Sequence, residues 1–208
     1  TVPFTRYIFN SLFTTVATVL ASILVCCLGA YGLVKHRPAG SNIIFGIVVA
    51  ALSFSTHVTT IPNYLVVNKL GLVNTCWALI IPKIAVAYNF FLVKQFCEQL
   101  PDSILEAARI DGAGSMRFFW DVLVPLSTTS IAALFVIQFI YGWNQHLWPL
   151  LVTTSEDMYP VVIGIKRMIS GGDSEMQWNI VMATAILAML PPALVVMLMQ
   201  KWFVKGLV

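Results

Sequence analysis

The sequence predicts an all-α, polytopic membrane helical bundle. Of its 208 residues, 59% are hydrophobic and only 10% charged. Mean hydropathy is +0.86, and five stretches meet the requirement of about 20 mainly apolar residues for a spanning helix. Soluble domains carry about 25% charged and about 45–50% apolar residues. A water-soluble globule of this size has no interior large enough to hide the excess. The same composition excludes a disordered chain, a coiled coil and a secreted disulfide scaffold.

The expected spans are 10–34, 43–61, 72–93, 131–152 and 180–200, and only the third holds a formal charge, Lys83. These are continuous apolar runs, so helices are expected rather than the short alternating strands of a barrel. With the link after the first span in the cytoplasm, that side carries Lys35, Arg37, Lys94, Arg109, Arg117, Lys201 and Lys205. The other side carries Arg6, Lys69, Lys166 and Arg167. The positive-inside rule favours this orientation, with the C-terminus cytoplasmic and Thr1 outside. The whole chain, 1–208, reads as a single transmembrane domain with two long connections, 94–130 in the cytoplasm and 153–179 outside. The latter holds Glu156, Asp157, Gly171, Gly172, Asp173 and Glu175.

The net charge of +3 is scattered, with no basic patch interleaved with aromatics, so nucleic acid is not expected as a partner. Cys26, Cys27, Cys76 and Cys97 form no CxxC pair and read as small hydrophobes, and no metal-ligand spacing is present. The chain starts at Thr1 rather than Met without a cleavable leader pattern, so a longer protein is expected.

The connection 94–130 is the informative part. Pro101 precedes a helix start, and Ser103 with Glu106 has capping-box spacing. Gly112 and Gly114 are placed to stop that helix. A second short helix is expected over 116–124, with Pro125 separating it from the next span. Two short helices around a glycine turn form a compact projection, suited either to reversing the chain or to docking a partner.

Glu106-Ala107-Ala108, three residues, Gly112, nine residues, then Val122-Leu123-Val124-Pro125 resembles the EAA loop of ABC-importer permeases. The family pattern has Ile and Leu where this chain has Val122 and Val124. The segments Tyr141-Gly142-Trp143-Asn144-Gln145, Leu147-Trp148-Pro149-Leu150 and Phe203-Val204-Lys205-Gly206-Leu207 are similar to those of carbohydrate-type permeases. Within that family the likeness runs to sn-glycerol-3-phosphate importers and covers nearly the whole chain. Family members have six spans, so the resemblance implies that a first span precedes this chain. It implies a non-catalytic permease subunit in a bacterial inner membrane, for sn-glycerol-3-phosphate or related glycerophosphodiesters. A disaccharide or other polyol is the alternative substrate.

By the same resemblance, Glu106, Ala107, Ala108, Arg109, Asp111 and Gly112 form the coupling element that fits a cytoplasmic ATPase dimer. ATP and Mg are used there, not in this chain, which has no Walker motif and needs no cofactor of its own. A homologous second permease completes the pore within membrane lipid. An external binding protein delivers substrate, and 153–179 is the expected contact for it.

Four residues are pathway candidates. Lys83 follows Pro82 at a depth where a charge costs about 2.5–3.5 kcal/mol, and it either attracts an anionic group or pairs with a carboxylate of the partner subunit. His57, among Ser53, Ser55, Thr56, Thr59 and Thr60, is expected to face a partner or the pathway. Asn144 and Gln145 offer amide donors beside Trp143 and Trp148, which suit polyol stacking or interfacial anchoring equally. The rival class, an intramembrane hydrolase, needs an acid and an oxyanion element beside Ser53, Ser55 and His57, and none is present. A secondary transporter would show an internal repeat, and none is visible.

Overall fold

The computed structural model describes the backbone of residues 4–170 and 178–205, with side chains of 4–169 and 178–200. Every regular element among these is helical: α1 (Phe4–Lys35), α2 (Ser41–Leu52), α3 (Thr56–Lys69), α4 (Cys76–Ile80), α5 (Ala87–Gln99), α6 (Asp102–Ile110), α7 (Ser115–Phe118), α8 (Val124–Leu126), α9 (Thr128–Trp143), α10 (Leu147–Val152), α11 (Val161–Ser170) and α12 (Trp178–Lys205).

Two helices are long and apolar enough to cross a membrane, α1 and α12, and the number rises to five if each bent pair counts as one span. The expected second span breaks at 53–55, where α2 and α3 meet at 105°. Ser55, whose hydroxyl accepts from the His57 amide, starts a new helix there. The third tightens into the short 3-10 turn Ile81–Lys83 and breaks after it at 84–86, where Cys76–Lys83 and Ala87–Gln99 meet at 45°. Pro82 sits in that turn, where it cannot donate to the helix ladder. The fourth ends at Trp143, and residues 147–152 form the separate α10.

At the centre stands α1, packed on α5, α9 and α11, with α12 packed on α9 and α11. Its buried stripe includes Ser11, Thr14, Thr15 and Ser22. Such hydroxyls need no water: Thr14 donates to Asn10 O at 2.7 Å, and Ser22 accepts from Asn89 Nδ2 at 3.2 Å. Small side chains let helices approach, and a Cβ on Gly142 would lie 3.2 Å from Thr15 Cγ2. Cys26, Cys27 and Cys97 are buried in this core, while Cys76 is half-buried.

Two buried indoles repair the damage done by prolines. Within α12, Pro192 has no N–H to offer Ala188 O, four residues back, and Trp143 Nε1 donates to that carbonyl at 3.1 Å. Pro82 likewise leaves Ala78 O without a helical donor, and Trp148 Nε1 donates to it at 3.0 Å. Trp143 and Trp148 are only 3% and 4% exposed. They are therefore packing residues rather than polyol platforms or interfacial anchors.

The segment 153–170 is structured rather than a simple loop. Arg6 pairs with Asp157 at 2.7 Å, Asn10 Nδ2 donates to Asp157 O at 2.7 Å, and Ser11 Oγ accepts from Val161 N at 2.8 Å. Gly164 of α11 lies so close to the Tyr7 ring that a Cβ there would overlap it. Asn74, at φ +63°, accepts from Thr154 N, Ser155 N and Ser155 Oγ, which ties 70–75 to the same end of the bundle. Gly171, Gly172, Asp173 and Glu175 lie outside the described residues.

Candidate functional site

The projection after α5 lies at the C-terminal end of α1, about 48 Å from the N-terminal end that holds 153–170. In α6, Leu105 is buried, and Ile104 and Ala108 pack on the main core. The opposite face presents Glu106, Ala107, Arg109 and Asp111, with Ile110 86% exposed.

Gly112 ends α6 as expected. Its φ is +74°, and it donates to Arg109 O while Ala113 donates to Ala108 O, at 3.0 and 2.9 Å. That pair of bonds is the Schellman closure, which needs a left-handed residue at this place. Gly114 does not share the role, since its φ of −68° and ψ of 164° make it the extended N-cap of α7. The expected capping box is absent: α6 starts at Asp102, with Pro101 as N-cap and no side-chain cap bond. Ser103 thus sits two residues past the N-cap position, inside the first turn, where it cannot cap the helix.

The second arm differs in its ending. Ser115 to Leu126 is helical throughout, with a π-helical turn over Phe119–Leu123 in which Val124 N donates to Phe119 O. Pro125 lies inside this run, and the break falls after it at Ser127, followed by a 75° bend into α9. The wider π turn sits just where a proline removes a donor from the ladder.

Residues of the last turns of α1 hold both arms. Lys35 Nζ donates to Leu100 O at 2.8 Å and to Asp102 Oδ1 at 2.9 Å. The Lys35 side chain is only 2% exposed. Arg37, just beyond α1, binds the other Asp102 oxygen at 3.1 Å. The Lys35 hydrogen bond, then its charge, then Arg37 hold the Asp102 carboxyl below its usual range. On the other arm, Tyr31 OH donates to Ser115 O at 3.1 Å, and its ring packs on Phe118 and Phe119 at 5.9 and 5.7 Å. Sequence reasoning missed Tyr31, Arg37 and Asp102 as site residues and used Lys35 only for charge bias. Nothing local signals a pair formed across 67 residues.

The four pathway candidates do not form one cluster. Lys83 ends the 3-10 turn, with its ammonium 5.6 Å from the Trp148 ring centroid. Asn144 caps its own helix, Nδ2 donating to Ile140 O at 2.9 Å, and Gln145 is half-buried beside it. His57 lies exposed in the first turn of α3. Around it, Thr59 and Thr60 donate to Thr56 O, at 3.0 and 2.8 Å. The polar cluster there is a helix start, with its hydroxyls used locally. Among the described residues no three His, Cys, Asp or Glu side chains are grouped to hold a metal ion.

Residues 20–208 match the family described as binding-protein-dependent transport system inner membrane component. The sn-glycerol-3-phosphate transport system permease protein UgpE of Yersinia enterocolitica is 47% identical over 206 residues, which is 99% of this chain and 73% of that one. The UgpE of Pectobacterium atrosepticum is 47% identical over 208 residues, 100% of this chain and 74% of its own. Among solved structures, a bacterial ABC transporter involved in the import of the acidic polysaccharide alginate matches with a TM-score of 0.86 and 26% identity. The match covers 96% of this chain and 75% of that one. A chain of the bacterial alginate ABC transporter in complex with alginate pentasaccharide-bound periplasmic protein shares the fold at a TM-score of 0.73 and 16% identity. That match covers 96% of this chain and 77% of the other.

Proposed function

Because this chain belongs to the family of binding-protein-dependent transport system inner membrane components, we propose that it is the permease subunit of an importer for sn-glycerol-3-phosphate or related glycerophosphodiesters. The observation that carries this reading is 47% identity to glycerol-3-phosphate permeases along nearly the full chain. The subunit is a non-catalytic transport component.

In this reading each bent helix pair serves as one span, giving five, with the C-terminus in the cytoplasm. The projection formed by α6 and α7 is the EAA loop, and its exposed Glu106, Ala107, Arg109, Ile110 and Asp111 meet a groove on one of two cytoplasmic ATPase subunits. Those subunits bind ATP and Mg. A second permease completes the pore, and an external binding protein delivers substrate at the end where 153–170 lies. The solved alginate transporter complexed with a periplasmic protein is the precedent for that last partner.

Geometry supports transmission of motion. A coupling element must be stiff and joined to a spanning helix, or partner motion is absorbed locally. Here α6 is closed by Gly112 and clamped through Asp102 to Lys35, and α7 is held through Ser115 to Tyr31. Both attachments lead into α1.

Lys83 stays the pathway candidate of choice, since it is the one formal charge within the expected spans. His57, Asn144 and Gln145 are secondary candidates. The test is uptake of labelled glycerol-3-phosphate into proteoliposomes holding the complete transporter, its binding protein and internal ATP. Uptake that unlabelled maltose does not compete supports the reading, and a lower rate in Lys83→Met places that charge on the pathway. Uptake of maltose instead contradicts the substrate assignment.

A further inference from the structure

Between α5 and α9, with Cys27 of α1 also in its wall, lies a cavity of about 300 Å³. Much of that wall is apolar, including Leu92, Leu134 and Ile137. Four polar side chains join it. Gln95 and Gln99 stand one turn apart on α5, Ser127 marks the bend before α9, and Ser130 lies in the first turn of α9.

These polar groups are largely unused. The Ser127 hydroxyl donates to Leu123 O. Among the described residues, the Gln95 and Gln99 amides and the Ser130 hydroxyl have no hydrogen-bond partner. One turn beyond Leu134 on α9, Gln138 has a buried amide nitrogen that is also without a partner among them.

An apolar chamber with a few convergent polar groups is the common form of a small-molecule site. Its chemistry narrows the occupant. A hydrocarbon chain would leave the amides and the hydroxyl unpaired, which an apolar setting penalises. Amides and hydroxyls both donate and accept, so they match ligand hydroxyls, which do the same. The apolar wall then packs on the C–H surface of such a ligand.

Position adds a second argument. Gln99 closes α5 just before α6, and Ser127 precedes the 75° bend that follows the second arm. The cavity therefore lies between the roots of the two arms of the projection, where movement of either arm alters it.

We propose that this cavity holds the hydroxyl-bearing part of the cargo on the cytoplasmic side of its path, with Gln95, Gln99 and Ser130 as hydrogen-bonding contacts. This rests on the permease reading given above.

The test uses the complete permease–ATPase assembly in nanodiscs. Ile137 lines the cavity and is 48% exposed, so Ile137→Cys places a reporter thiol there. Its modification by N-ethylmaleimide is followed at that peptide by mass spectrometry. Saturating glycerol-3-phosphate should slow the modification several-fold. Gln99→Met, which keeps the side-chain length, should raise the concentration for half-protection about fivefold, the size of one neutral hydrogen bond. Gln95→Met/Gln99→Met should raise it further, and if that pair fails to assemble, Gln99→Met at the exposed end of α5 carries the test.

Modification that neither glycerol-3-phosphate nor maltose slows overturns the proposal. So does absence of modification in nanodiscs, since lipid or packing then closes the cavity, and so does protection that the glutamine variants leave unchanged. Wild-type uptake separates the two readings. Uptake of glycerol-3-phosphate without protection at residue 137 removes only the cavity. Protection by maltose and not by glycerol-3-phosphate, weakened in Gln99→Met, supports the cavity and removes only the substrate reading.

Discussion

Trp143 supplies the hydrogen bond that Pro192 cannot give, its indole N–H reaching Ala188 O at 3.1 Å across the interface of α9 and α12. Trp148 does the same for Ala78, whose carbonyl Pro82 leaves without a helical donor. In lipid an unpaired carbonyl is costly, so prolines inside spans require a donor from a neighbouring helix. The two pairs therefore fix α9 against α12 and α10 against α4.

A double-mutant cycle tests this directly. Trp143→Phe keeps most of the apolar bulk but removes the donor, and it should destabilise the protein by about 1–3 kcal/mol. In a Pro192→Ala background, where an N–H at 192 is restored, the same change should cost clearly less. Thermal unfolding in detergent measures both, and equal costs in the two backgrounds would contradict the assignment.

Lys35 and Asp102 carry the second expectation. Lys35→Met removes the clamp between α1 and α6 while leaving the exposed face of α6 intact. Uptake per ATP hydrolysed should fall to about a tenth, which corresponds to a coupling change within the usual 0.5–2 kcal/mol, and Lys35→Arg should restore most of it. Unchanged coupling in Lys35→Met would show that motion takes another route.

The same pair sets a pH dependence. Asp102 is held below its ordinary value of 3.8, first by the Lys35 hydrogen bond and then by the Lys35 charge and Arg37. A depressed carboxyl contributes stability above its unfolded value, and that contribution is lost as pH falls through the folded value. Asp102→Asn should therefore unfold at a lower temperature than wild type at pH 6, and the gap should close as pH is taken down below 3.8. A gap that persists in acid would mean that something other than the charge is involved.

Gly112 and Gly114 should respond differently to alanine. At φ +74°, Gly112→Ala forces a side chain into the left-handed region at a cost of about 1–2 kcal/mol, although no neighbour obstructs the added Cβ. Gly114, at φ −68° and also with open space around it, accepts alanine with little change. Co-purification with the proposed ATPase partner should weaken in the first variant only.

The fold class was legible because lipid imposes a simple rule: long apolar runs become helices. Helix breaks were less legible. Ser55 looked like part of a polar face, whereas it caps a new helix after a 105° turn. Gly112 could be read from its place after α6, because a Schellman closure depends on local geometry. The Ser103–Glu106 capping box failed on a two-residue shift in the helix start. Long-range partners such as Trp148 with Ala78, Asn74 with Ser155, and Lys35 with Asp102 leave no local trace, since each half is unremarkable until the chain has folded.

The most direct test of the central claim is ATP hydrolysis by the complete reconstituted transporter with its binding protein, in glycerol-3-phosphate and then in maltose. The account predicts stimulation by glycerol-3-phosphate and none by maltose, with stimulation lost in a Glu106→Lys variant of the proposed coupling loop. Stimulation by maltose alone, or stimulation by glycerol-3-phosphate that Glu106→Lys leaves untouched, would contradict it.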